Sequence, residues 1–151
     1  MNKAYVLQKL AHYWTHEMPF NRLLGFNITR FDADQSELIF SWQDKLIGNP
    51  MQQILHGGVT ASALDLVGGV VAAANIIDQL EELSDQAVMQ SLTKLGTIDL
   101  RTDYLRPGRG QEFIATAKII RSGSKVAVAR MELHNEQGDH IAFGTGTYMV
   151  G

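Results

Sequence analysis

The chain has 151 residues, 45% of them hydrophobic and 19% charged, enough for one domain with a sizeable core and too few for two. A formal net charge of -3 argues against a general nucleic-acid binder, which carries a basic excess. With no cysteine, disulfides, thiolate nucleophiles and cysteine-held metals are excluded, which fits a reducing, cytoplasmic setting.

The first twenty residues lack a secretory signal pattern. Within residues 1–18, Val6, Leu10, Tyr13 and Trp14 fall at i, i+4, i+7 and i+8, which predicts a short amphipathic helix followed by Pro19. Strands are expected over residues 26–31 and 37–42, the second with Leu38, Phe40 and Trp42 alternating. Residues 44–55 read as a loop broken at Gly48-Asn49-Pro50. From 57 to 83 the period becomes helical, and the first half is apolar nearly all round. Asp65, Asn75 and the Gly68-Gly69 pair make that segment a poor membrane span and a good buried helix. Period 2 returns over 97–105, with Ile98, Leu100 and Tyr104 on one face, and continues over 112–121, 125–134 and 140–150. The short links at Ser122-Gly123 and Glu136-Gln137-Gly138 make the last three strands antiparallel neighbours.

The order is α-β-β-α-β-β-β-β in one domain, residues 1–151. Such an α+β chain buries its long apolar helix most economically by wrapping it in a curved antiparallel sheet of about six strands, the hotdog arrangement.

Two consecutive glycines in His56-Gly57-Gly58 let the backbone approach a ligand closely. The helix start behind them offers unpaired N–H groups and a positive dipole end, able to polarise a carbonyl and stabilise an oxyanion. The same three residues also suit a tight turn with His56 capping or packing. Asp65 lies among Leu64, Leu66, Val67, Val70 and Val71, where an unpartnered carboxylate is costly. It reads as a general base or nucleophile, or as an acid paired to a donor on the sheet. Gly58 and Asp65 share a helix face about 10 Å apart along the axis. One reacting carbon cannot touch both in one chain, so a site using both takes its carboxylate from a second subunit.

His56-Gly57-Gly58, Leu64-Asp65 and the run Thr97-Ile98-Asp99-Leu100-Arg101-Thr102-Asp103-Tyr104-Leu105-Arg106-Pro107-Gly108 together resemble the PaaI-like branch of the hotdog acyl-CoA thioesterases, over most of the chain. The resemblance implies hydrolysis of an acyl-CoA by a homo-oligomer, a dimer or a dimer of dimers, with an inter-subunit active site. It implies Gly58 N–H as main oxyanion donor with Gly57 beside it, and His56 orienting the turn or bonding near the thioester. Asp65 would attack or activate water, and Thr97 would help hold that water. An Asn or Gln shortly before the His often places substrate in this family; Asn49, Gln52 and Gln53 are the candidates here. No cofactor and no metal are implied.

Arg101, Arg106 and Arg109 form a basic group suited to coenzyme A phosphates, or to ordinary solvated strand ends; Arg106 and Arg109 are preferred as substrate contacts. His12 and His16, lacking a third ligand, read as a solvated face, and His134 and His140 as surface residues beside a turn. Two rivals remain. A hydratase or dehydratase needs an Asp and a His where Ile47 and Gln52 stand. A non-catalytic acyl-CoA-binding module has no need to bury a carboxylate beside a thioester. The acyl pocket is expected to draw on residues 44–55 and on the helix end near residues 76–83. No nucleic-acid or membrane partner is expected.

Overall fold

Asn2 opens the first helix, its side chain accepting the Tyr5 N–H at 2.8 Å, an N-cap. In the computed structural model, which describes residues 1–151, α1 runs Lys3–His16. Pro19 opens a second helix that periodicity missed, α2 (Pro19–Leu24). Proline suits that first position, whose N–H would be unpaired anyway. Gly25, at φ 73, closes α2.

Strands β1 (Asn27–Phe31) and β2 (Ser36–Ser41) follow. The segment expected to be a loop instead holds a 3-10 turn at Asp44–Leu46 and a small ladder, β3 (Ile47–Asn49) with β4 (Ile54–Leu55). Gly48 is needed there for close approach, since a Cβ would meet His56 Cα at 2.5 Å. The His56 N–H donates to the Leu46 carbonyl at 2.8 Å, so this ladder sets the entry to the central helix.

That helix, α3, spans Gly57–Asp78, stopping short of residue 83. Twelve of its 22 residues are buried, because it packs on β2 and on the strands formed by Glu112–Ser122, Val126–Asn135 and His140–Met149. Leu64 and Val67 are wholly buried, each contributing about 1.5–3 kcal/mol. The run Ala72-Ala73-Ala74, also wholly buried, lets neighbouring elements approach closely. Beyond α3, Ser84 accepts the Ala87 N–H at 3.1 Å and starts α4 (Asp85–Leu92). The Ser84-Asp85 start signal was present in the sequence; the unbroken run of helix formers before it hid the gap.

The remaining strands are β5 (Gly96–Tyr104), β6 (Glu112–Ser122), β7 (Val126–Asn135) and β8 (His140–Met149). They form, with β1 and β2, one antiparallel sheet in the order β1-β2-β6-β7-β8-β5. The core lies between this sheet and α3. Strand β5 does not alternate cleanly: Thr97 pairs with Tyr148 but Asp99 with Thr147, so Ile98 is an extra, bulged residue. His134 and His140 are half-buried rather than free surface groups. They oppose each other across β7 and β8 and stack with centroids 4.4 Å apart.

Candidate active site

His56 caps α3. Its Nδ1 accepts the Gly58 N–H at 2.8 Å, so the neutral ring carries its proton on Nε2. The hydroxyl of Tyr104, at the end of β5, donates to the Gly57 carbonyl at 2.6 Å. The Gly57–Gly58 peptide is therefore held at both ends. Burial of the Tyr104 hydroxyl raises its pKa, and it stays a donor at neutral pH.

The preceding peptide behaves differently. The His56 carbonyl accepts the Val59 N–H at 2.9 Å. In a trans peptide the N–H points opposite to the carbonyl, so the Gly57 N–H faces out of the helix end. The sequence reading put Gly58 N–H first as oxyanion donor. Here that hydrogen is engaged by His56, and Gly57 N–H is the donor turned outward.

Two turns along α3, Asp65 is half-buried. Its Oδ1 accepts the Thr97 hydroxyl at 2.8 Å, so the acid and the hydroxyl picked out from sequence do meet. Its Oδ2 accepts no hydrogen bond within the chain. A residue that sequence reading missed stands behind them. Tyr148 is 2% exposed, and its hydroxyl donates to the Asp65 carbonyl at 2.9 Å, with Oδ1 at 3.4 Å. Glycines make its socket: a Cβ on Gly68 would lie 2.2 Å, and one on Gly146 2.6 Å, from the Tyr148 hydroxyl. The signal was legible as a Gly-Gly-Tyr series at 144, 146 and 148 on one strand face, opposite Gly68 on the helix.

Burial first, then the charge of Asp65 and the bond toward it, push the Tyr148 pKa far above its ordinary 10.0. The folded chain thus holds this proton more tightly than the unfolded chain does. The associated stability is fully present below pH 10 and declines as pH rises beyond it, by about 1.4 kcal/mol per unit. Comparing Tyr148→Phe with wild type in denaturant titrations from pH 7 to 12 should show that decline removed. The variant should also lose about 1 kcal/mol at pH 7 for the missing bond. Equal slopes in the two proteins would mean another group carries the alkaline transition.

The other candidates disperse. Asn49 Oδ1 accepts the Met51 N–H at 2.9 Å, shaping the β3–β4 turn. Gln52 is bonded to Arg109, while Gln53 is exposed. Arg106 donates to the His140 carbonyl at 2.8 Å, and Arg101 pairs with Asp103 at 3.2 Å. Of the arginines, Arg109 lies near the His56 turn, because the Leu55 N–H bonds Gly108 O at 3.0 Å.

Beside Asp65 opens a cleft of about 770 Å³. Its walls come from α1, α4, the Asp65 face of α3 and the start of β5, with Tyr148 at its base. Residues 44–55 and 76–83, expected to shape an acyl pocket between subunits, are not among the residues that line this cleft within one chain. Ile76 and Leu80 line a separate cavity of about 190 Å³.

Comparison with known proteins places this geometry. The E. coli K12 protein named medium/long-chain acyl-CoA thioesterase YigI is 48% identical over 145 residues, 96% of this chain and 94% of its own. A Shewanella oneidensis structure described as related to the thioesterase superfamily is 54% identical with a TM-score of 0.94, covering 99% of this chain and 97% of its own. E. coli PaaI, from the phenylacetic acid degradation operon, is 19% identical at a TM-score of 0.78, covering 99% of this chain and 96% of its own, and shares the fold. Residues 52–142 match the family described as the thioesterase superfamily. That match spans the capped glycine turn, Asp65 and Thr97, and the chain belongs to the thioesterase superfamily on its hotdog fold.

Proposed function

We propose that this protein hydrolyses medium- to long-chain acyl-CoA thioesters, releasing the free acid and CoA, in the cytoplasm. The name of the E. coli relative supports the substrate class. The observation that carries the chemistry is Asp65, held through Oδ1 by Thr97 with Oδ2 open, on the same helix as an outward Gly57 N–H. The thioester oxygen sits against the Gly57 N–H, which stabilises the negative charge developing there. Asp65 Oδ2 then takes a proton from water as the water oxygen bonds to the carbonyl carbon, and passes it to the departing sulfur. Alternatively it attacks that carbon itself, forming an acyl–Asp65 anhydride that water cleaves to the free acid once the CoA thiolate has left. In either route collapse breaks the carbon–sulfur bond.

Gly57 and Asp65 lie eight residues apart, about 12 Å along the helix, so the two groups acting on one carbonyl come from different subunits. Strand β5 supports that assembly. It is the last strand in the sheet order, so its outer edge bonds nothing within the chain, and Ile98 and Tyr104 on it are exposed. An open edge is a template for pairing. Antiparallel pairing of β5 with its own copy, centred between Leu100 and Arg101, sets Thr97 beside the partner's Tyr104. Thr97 holds Asp65 and Tyr104 holds Gly57, so each two-fold dimer carries two composite sites.

Co-expressing two inactive variants, Asp65→Asn and Gly57→Pro, tests this. Random pairing makes half the dimers mixed, each with one intact site, so CoA release should recover to about a quarter of wild type. No recovery in isolated mixed dimers would place both groups of each site in one chain.

A further inference from the structure

We propose that the cleft beside Asp65 is the acyl-chain site and that α4, with α1, measures the length of the chain. This rests on the thioesterase reading and adds to it the elements that select the substrate. Asp65, Thr97 and Tyr148 lie in the lining of the cleft, so an acyl group entering it keeps its reactive carbonyl beside the carboxylate. Past them the walls are mainly apolar: Leu10 and Trp14 from α1, Leu66 from α3, and Val88, Met89 and Leu92 from α4. An alkyl tail has no polar atom beyond its carbonyl and matches such walls. A cleft of about 770 Å³ is in the range that encloses a small organic ligand.

The position of α4 makes it the gauge. It packs on α3, and its buried Val88 joins Val6 of α1 and Ile77 of α3 in a cluster separate from the main core. Met89, one residue on, is 71% exposed although it lines the cleft. Gly69 lies one helical turn beyond Asp65 and also lines it. A Cβ there would make only ordinary contact with Tyr148, at 3.7 Å. A larger side chain at Gly69 or Met89 therefore occupies space that the tail would use.

Two readouts test this. The first is CoA release over saturated acyl-CoAs from four to eighteen carbons, for wild type, Gly69→Leu and Met89→Trp. In wild type kcat/KM should rise about fourfold for each methylene buried and then level off. Both variants should level off at shorter chains, Gly69→Leu by about as many carbons as its new side chain holds. The second is Trp14 emission in an Asp65→Asn, Trp42→Phe background, which leaves Trp14 as the sole tryptophan. It should shift saturably with dodecanoyl- or hexadecanoyl-CoA and not with CoA alone.

Release of CoA with the same levelling point in all three proteins overturns the length gauge. No Trp14 response to either acyl-CoA overturns the cleft as acyl site. A Trp14 response without CoA release from any thioester supports the cleft as an acyl site while sinking the hydrolase reading, so the two failures are distinguishable.

Discussion

Asp65→Asn should lower kcat/KM for acyl-CoA by about 10³-fold while the fold and subunit assembly stay as they are. The substitution is nearly isosteric, and the amide oxygen can still accept the Thr97 hydroxyl now bonded to Oδ1 at 2.8 Å. The Tyr148 hydroxyl keeps its main acceptor, the backbone carbonyl of residue 65, at 2.9 Å. What changes is the second oxygen. An amide nitrogen there can neither take a proton from water nor attack a carbonyl carbon. Binding of acyl-CoA, followed by Trp14 emission, should survive. A variant retaining more than a tenth of wild-type turnover would remove Asp65 from the chemistry and return it to a structural acid paired with Thr97.

Gly57→Pro should reduce kcat by about 10²–10³-fold with almost no change in thermal stability. Residue 57 is the first of α3, where proline is well accommodated because its missing N–H has no helical partner to lose. The preceding His56 has φ -59 and ψ 134, the extended region that a residue before proline prefers. The ring adds little crowding, since the nearest atom to a Cβ at 57 is the Tyr104 hydroxyl at 3.4 Å. Only the outward N–H disappears. Gly57→Ala, which keeps that N–H, is the control and should stay far more active. Full activity in the proline variant, measured by CoA release with circular dichroism confirming the fold, would transfer the oxyanion role to another donor.

Much of this protein was legible without coordinates because two signals are strong in its sequence. The apolar run after Gly57 can be buried only by wrapping it, and the alternating strands after residue 96 supply the wrap. Asp65 stood out for the same reason: a carboxylate among Leu64, Leu66 and Val67 needs a partner, and Thr97 provides one. Local pattern served less well where short elements compete with long ones. Helix formers run on past Asp78, so periodicity carried α3 to residue 83 and left α4 unseen, although α4 is a wall of the cleft beside Asp65. The ladder β3–β4 is too short to print a period at all.

The chain by itself determined the helix-in-sheet architecture, the glycine turn and the acid, since each follows from hydrophobic period, backbone freedom or the cost of burying charge. Only the tertiary structure decided which hydrogen points out of the helix end and which side chains converge. Thr97 and Tyr104 differ in strand parity and should point to opposite faces of β5. The bulge at Ile98 reverses that parity, so both turn toward α3, one to Asp65 and the other to Gly57. Likewise His56 Nδ1 occupies the Gly58 N–H, leaving Gly57 outermost. A bulge and a cap bond are settled by how neighbouring elements pair and pack, and residue order alone does not encode them as a pattern.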